Sequence, residues 1–153
     1  MDVLNHDGEI IFSTELELNK ADLDSVNLTN AELSRAELGA ASMGNCVLQK
    51  ANLSKANLYG AFLYQADLTQ ANLQSADLRG ANLVRAILCQ ADLRNANLSR
   101  NNIGKDTSLI GADLSGCQVE GANFEHAFYD LATVFPKSFD PQAHGMVLVR
   151  DAP

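Results

Sequence analysis

At 153 residues, 46% of them apolar, the chain is long enough for one domain with a real core. A net charge of −8 at pH 7 argues against nonspecific binding to nucleic acid or to an anionic membrane surface, and favours neutral or basic partners. No stretch approaches the roughly 18 consecutive apolar residues of a membrane span, and the three cysteines, Cys46, Cys89 and Cys117, lack both CxxC spacing and an even count, so a soluble, cytoplasmic protein without a disulfide framework or a membrane partner is expected.

Residues 1–15 read MDVLNHDGEIIFSTE. They hold no basic stretch followed by an apolar one, which sets aside a secretory leader. Ile10, Ile11 and Phe12 read as a short cap strand that plugs the end of the core that follows.

From residue 16 to residue 134 the chain keeps a period of five, and such a repeat decides the fold before any local propensity does. The central residue i is Leu18, Leu23, Leu28, Leu33, Leu38, Met43, Leu48 and onward every five residues through Leu98 to Ile103, giving 18 repeats without a slip. The next centre is Leu109, six residues on, which reads as one residue inserted within GKDTS. Leu114, Val119, Phe124, Tyr129 and Val134 then resume the period. Position i−2 is mostly alanine, with Val26, Cys46, Asn101, Thr107 and Cys117 as departures.

On a helix, steps of five advance by about 140° net, so the leucines would scatter around the cylinder. On a flat strand, odd steps alternate faces, and the recurring Asn and Asp are poor strand formers. What fits is a chain that turns once per five residues, burying the small i−2 and large i side chains and leaving Asn, Asp, Gly and Ser in the turns. If four turns close a square coil, 20 residues make one coil, and coils stacked at about 4.8 Å make a rod of roughly 29 Å.

Repeats such as ANLSK, ANLYG, ADLTQ, ANLQS, ADLRG, ANLVR and ADLRN resemble those of the pentapeptide-repeat family, A-[DN]-L-x-x, from about Leu16 to Val134. The resemblance implies an all-β fold, a right-handed quadrilateral β-helix of about six coils, with i and i−2 inward and i−1, i+1 and i+2 outward. DGEIIFS and TVFPKSFDPQAHGMVLV are similar to the terminal segments of many cyanobacterial members.

Residues 135–153 read as a C-terminal cap, because an open solenoid end exposes its leucine stack and unpaired backbone. Asp140-Pro141 suits the start of one helical turn, Gly145 its end, and MVLV a short strand. The segment looks different from the longer helical extension through which topoisomerase-binding members dimerise.

No catalytic constellation emerges, and no enzyme activity, metal or cofactor is expected. His6, His126 and His144 show no HxxxH or HExxH spacing. Cys46 and Cys117 sit at inward i−2 sites, too far apart to be bridged, and Cys89 sits at an outward i+1 site. Asp67, Asp77 and Asp92 alternate with Asn at i−1, which suits turn bonding rather than acid-base work. The NLS and NLT triplets at Asn27, Asn52 and Asn97 follow from the repeat.

The family includes proteins that mimic duplex DNA and bind DNA gyrase, a type II topoisomerase, and that alternative makes a demand on charge. Residues 16–134 carry 13 carboxylates against 9 cations, an excess of 4, whereas about 29 Å of duplex carries roughly 17 charges. The alternative also lacks projecting loops in the repeat pattern.

Sorting outward residues by face gives a better lead. The face through Leu33, Leu53, Leu73 and Leu93 presents Glu32, Asn52, Asn72, Asp92, Ser34, Ser54, Gln74 and Arg94, all polar. On two adjacent faces, however, Val47, Phe62, Tyr64, Val84, Ile87 and Cys89 occupy i−1 or i+1 places, with Tyr59 one corner away. Clustered apolar departures of this kind mark an interaction patch. The expected function is therefore a noncatalytic scaffold that binds an unknown protein partner, or a second copy of itself, and neither nucleic acid nor membrane.

Overall fold

A computed structural model of the chain describes the backbone of residues 2–13 and 18–150 and the side chains of 2–10 and 18–150. Away from the two loops described below, the repeats make the same tight turn. The N–H of the next i−2 residue donates to the carbonyl of i, as from Ala31 to Leu28 and from Ala51 to Leu48, both at 3.0 Å. The intervening i+2 residue takes a left-handed φ, 57° at Lys50 and 59° at Gln90, which is the mark of a type II turn.

Four turns close a coil. Parallel bridges join each outward i−1 residue to the one 20 positions on, as in Asp22↔Ser42, Asn27↔Val47, Glu32↔Asn52 and Glu37↔Asn57. The N–H of Leu33 reaches Asn52 O at 2.8 Å and the N–H of Asn52 returns to Ala31 O at 2.8 Å, so successive coils are laced through backbone bonds. The result is a right-handed quadrilateral β-helix whose inward leucines and alanines form one continuous core; Leu48, Leu53, Leu68 and Leu88 are 0% exposed. The four faces are centred on Leu23, Met43, Leu63, Leu83 and Leu109 (face 1), on Leu28 to Leu114 (face 2), on Leu33 to Leu93 (face 3), and on Leu38 to Leu98 (face 4).

Two places depart from the repeat as read from the sequence. Asn82 bridges to Ser108 and Ile87 to Asp113, 26 residues on rather than 20, so the break is not a single inserted residue. A whole pentapeptide plus one, residues 101–106, leaves the coil as a loop, and Ile103 is 81% exposed rather than a buried centre. The reason lies in the i−2 place. Asn101 bends its own amide oxygen back to accept the N–H groups of Ile103 (3.1 Å) and Lys105 (2.8 Å), and Thr107 takes the inward position in its stead. The Thr107 hydroxyl accepts the N–H of Gly80 at 2.9 Å and lies 3.0 Å from the carbonyl oxygens of Leu78 and Ser99.

The second departure follows Tyr129. Asp113 bridges to Val134, 21 residues on, so Val134 is an outward residue, 46% exposed, and Phe135 turns toward the core instead. Residues 130–133 bulge out with Leu131 at 87% exposure. Thr133 sits as Thr107 does, its hydroxyl 3.0 Å from Leu109 O.

At the N-terminal end, β1 (Asp2–Leu4) and β2 (Ile10–Ser13) pair antiparallel, and the carbonyl of Leu4 accepts the N–H of Glu32 at 2.7 Å. Among the described side chains of this hairpin, Val3 is buried, at 2% exposure, whereas Ile10 is 60% exposed and does not plug the core. The parts expected of the Ile11 and Phe12 side chains, and residues 14–17, lie outside the described residues. At the other end, β3 (Phe128–Tyr129) pairs in parallel with β4 (Val147–Leu148). Between them Asp140 Oδ1 accepts the N–H groups of Gln142 and Ala143, and Gly145, at φ 70°, ends the single turn. Phe139 stacks between Phe135 (5.1 Å) and His144 (4.3 Å) and sets its edge on buried Phe124 (5.2 Å). Met146 and Leu148 take the i−2 and i places on face 1, with methionine where the repeat has a small residue and Met146 6% exposed.

Candidate interaction face

The polar residues of the repeat are committed to the turns. Where i−1 is Asn or Asp, its side-chain oxygen accepts the backbone N–H of i+1, as in Asp67 to Thr69 (3.0 Å), Asn72 to Gln74 (3.1 Å) and Asp92 to Arg94 (3.1 Å). The Arg94 guanidinium grips Asp92 at 2.9 and 2.6 Å, and this bond, outweighing burial, lowers the carboxyl to about 2. Burial raises Asp77, but its bonds to the Arg79 side chain and backbone hold it below the usual range. On face 3, Asn52 donates to Glu32 at 2.9 Å, part of a polar ladder along the rod.

Cys46 and Cys117 point inward and are free. Burial pushes both thiols up to about 12, so neither is a nucleophile at neutral pH. Cys89 is half-buried, its sulfur 3.3 Å from Ser115 Oγ. Among the described residues, no group of three or more His, Cys, Asp or Glu side chains is placed to hold a metal ion.

The apolar departures fall unevenly. Phe62, Tyr64 and Val84 share face 1; Phe62 is 46% and Tyr64 37% exposed, while Val84 is half-buried beneath Ile110 in the same column. Ile87 (41% exposed) and Cys89 lie round the corner on face 2. Val47 is on face 2 as well, two coils from Ile87 with Asp67 between them, and it is half-buried rather than exposed. Tyr59, on face 4, lies beneath the 101–106 loop, with its hydroxyl bonded to Asn102 and the Arg79 guanidinium 5.5 Å from its ring.

Several residues belong to this surface that the period of five conceals. Ile103 and Leu131 stand at the tips of the two loops, which leave the rod at the two edges of face 1. Val134 lies in the Ile87 column beyond Asp113, and Val147 in the Phe62 column beyond Asn82, Ser108 and Phe128. Of the nine exposed large apolar residues described, seven lie on face 1, face 2 or these loops, and the other two, Leu4 and Ile10, belong to the N-terminal hairpin. Ile110, at i+1 on face 1, was legible by the same sorting of faces had the register past the loop been known.

The loop at 101–106 is tightly built. Arg100 clasps Asp106 across its base at 2.6 Å, Lys105 Nζ lies 4.9 Å from the centre of the Phe62 ring, and Gly80 leaves room for Asn101, whose amide would collide with any Cβ there. A groove on face 1, away from this loop, is lined by Tyr64, Val84, Arg85, Ile110 and Gly111 together with Asp130 and Ala132 of the 130–133 bulge.

The chain matches the family model of pentapeptide repeats, in eight copies, over residues 14–45, 31–70, 71–102 and 105–127; the gap at 103–104 falls in the loop. Among solved structures it is similar to alr5209, a pentapeptide repeat protein of Nostoc PCC 7120, at 36% identity over 71% of this chain and 84% of that one, with TM-score 0.65. It is similar to Rfr23 of the cyanobacterium Cyanothece 51142 at 33% identity, covering 65% of this chain and 64% of that one, with TM-score 0.61. A third relative is HetL of Nostoc sp. strain PCC 7120, a pentapeptide repeat protein involved in heterocyst differentiation regulation, at 32% identity over 84% of this chain and 61% of that one, with TM-score 0.53. The chain thus spans less than two thirds of the last two. No curated protein matches it in sequence.

Proposed function

The chain belongs to the pentapeptide-repeat family, and we propose that it works as a noncatalytic protein-interaction scaffold that binds its partner through face 1 and the adjoining edge of face 2. The observation that carries this reading is the segregation of exposed apolar side chains: Phe62, Tyr64, Ile87, Ile103, Leu131, Val134 and Val147 on one side of the rod, and a continuous polar ladder on face 3. A soluble surface that keeps its large apolar residues together rather than scattered is characteristic of an interaction site. HetL, a relative named for a regulatory process, fits a binding role of this kind.

Affinity capture from lysate tests the reading, with three proteins compared: the wild type, a Phe62→Asp, Ile87→Asp variant, and a face 3 control, Gln74→Asp. Circular dichroism verifies that each is folded. Retention of the same identified protein by wild type and control, with its loss from the double variant, is expected. Equal capture by all three would overturn the assignment of the face. Sedimentation of the same three proteins separates a second copy from another protein as the occupant.

A further inference from the structure

The C-terminal end of the rod leaves one rung of its ladder unbuilt. On face 3, successive coils are joined by three backbone bonds: Leu93 N–H to Gln118 O (2.8 Å), Asn95 N–H to Glu120 O (3.0 Å), and Gln118 N–H back to Ala91 O (3.1 Å). In the last coil the corresponding groups are the N–H groups of Val119 and Gly121 and the carbonyl of Cys117, and none of the three has a partner among the described residues. Round the corner on face 4 the N–H of Phe124 is unpaired as well, although that residue is only 1% exposed. Residues 136–145 cross both faces where the next rung belongs, but their backbone bonds mostly to itself. Phe139 N–H reaches Pro136 O, Gly145 N–H reaches Gln142 O, Asp140 Oδ1 takes the N–H groups of Gln142 and Ala143, and the two prolines have no N–H to give. The backbone bond from this segment to the last coil runs from His126 N–H to Gly145 O at 2.9 Å. Between the unpaired edge and the segment lies a groove with Val119, Ala122, Pro136 and Phe139 as its apolar lining, and with one carboxylate and one lysine, Glu120 and Lys137, whose charges cancel.

We infer that this edge takes one extended segment of a partner protein as an added parallel strand, at a site separate from the face 1 surface. The open groups set its register. The N–H of the segment's residue j donates to Cys117 O, its carbonyl accepts from Val119, and the carbonyl of j+2 accepts from Gly121, as Gln118 and Glu120 do one coil earlier. The side chains at j−1 and j+1 take the inward direction of i−2 and i, against Val119 and Phe139, and are therefore apolar. In strand addition the main-chain bonds supply affinity and the alternate side chains supply selectivity. Proline is excluded at j, because it lacks the N–H that Cys117 O would accept. An open edge alone is a general template for pairing; the apolar groove beside this one is what selects it. In the first coil Asn27 N–H is also unpaired, but the cleft there is lined by Asn5, Asn27, Thr29 and Asn30, with no apolar side chain to hold a strand. A second copy presenting the same edge about a two-fold axis would run antiparallel and could not reproduce this register.

Selection of a linear random peptide library on the immobilised full chain tests this, followed by amide hydrogen exchange of the protein and affinity measurement with the enriched peptides. In the free protein the amides of Val119 and Gly121 should exchange fast, and saturating peptide should slow both at least tenfold. A scan of N-methylated peptides should find one position, j, at which methylation weakens binding roughly tenfold by leaving a carbonyl unpaired. Methylation at j+1, whose N–H points away from the edge, should leave binding unchanged, and the residues on either side of j should be apolar. The Phe62→Asp, Ile87→Asp variant should bind these peptides as wild type does. Loss of binding in that variant would place the peptides on face 1, overturning this inference and leaving the scaffold reading standing. Slow exchange at Val119 and Gly121 in the free protein, protection only at other amides, tolerance of N-methylation at every position, no enrichment, or association of the chain with itself through this edge would each overturn it too.

Discussion

Gln65 carries a φ of 56°, and the same left-handed value recurs at nearly every i+2 position, occupied by Ser25, Arg35, Lys55 and Arg85 as readily as by Gly60 or Gly80. Each non-glycine there costs on the order of 1 kcal/mol of backbone strain, which the coil-to-coil backbone bonds overcome. The identity of i+2 is therefore free among straight side chains, which is why the repeat reads x there. It is not free for a branched one. Gln65→Val should lower stability by about 1–2 kcal/mol in a urea melt, and Gln65→Gly should stay near wild type because relief of strain offsets the added freedom of the unfolded chain; equal losses would show that the turn is not what constrains the site. An Asn or Asp at i−1 acts in another way, by accepting the backbone N–H of i+1, as Asp92 does from Arg94. Asp92→Asn keeps that bond and removes the charge. Because Asp92 titrates at about 2 when folded, below its ordinary 3.9, its ionised form stabilises the fold fully above about pH 4, and that support is lost as pH falls toward 2. The urea midpoint of wild type should consequently drop more steeply than that of Asp92→Asn between pH 4 and pH 2, by less than about 1 kcal/mol because Arg94 is 43% exposed. Parallel curves would mean that the ion pair contributes nothing.

At the scale of the element, the turn and coil were legible because a single pair of positions, i−2 and i, controls each corner, whereas the two loops were not. Ile103 falls on the period of five and is aliphatic, so counting alone assigns it to the core; only the bridge from Asn82 to Ser108 exposes the skipped pentapeptide. A physical signal was present at Asn101. Asparagine at i−2 buries an amide where alanine leaves none; Asn101, 5% exposed, spends its amide oxygen on the N–H groups of the loop, and the inward place goes to Thr107, whose hydroxyl has three backbone groups in reach. Val134 misleads for the same reason: Ala132 and Val134 match the small-x-large pattern, yet the chain sets Thr133 and Phe135 in those places. The apolar departures Phe62, Tyr64 and Val84 were placed correctly on one face because they precede the first slip in register. Gly80 is the seat of the first loop. Gly80→Ala should displace Asn101, loosen residues 101–106 and raise amide exchange at Ile103 and Lys105 at least tenfold, while Gly60→Ala, with open space about its Cβ, leaves them unchanged. Unchanged exchange in Gly80→Ala would show that the loop holds itself without the rod.

Across the whole molecule, stability is distributed along one axis. Each coil contacts its neighbours only, so the chain behaves as a row of coupled units, and the ends are held by dissimilar structures: a hairpin that inserts Val3 on one side, and a ring stack of Phe135, Phe139 and His144 over Phe124 on the other. This arrangement suits a scaffold, because the binding face can run along several coils without any one of them needing to change shape. It also ranks the core leucines, which the period of five shows as equals. Leu68, 0% exposed, has a described coil on either side, while Leu18, 3% exposed, belongs to the first coil. Truncation of Leu68 to alanine leaves a cavity that rigid backbone above and below cannot collapse, at roughly 3–5 kcal/mol. Truncation of Leu18 costs less, because fraying of one terminal coil is the alternative to carrying the cavity. Thermal melts of Leu68→Ala and Leu18→Ala should accordingly differ in kind: a lower midpoint with a sharp transition for the first, and a broadened early phase with a nearly preserved main transition for the second. Two equal, sharp losses would mean that the rod unfolds as one unit, its terminal coils coupled to the middle as tightly as the middle coils are to one another.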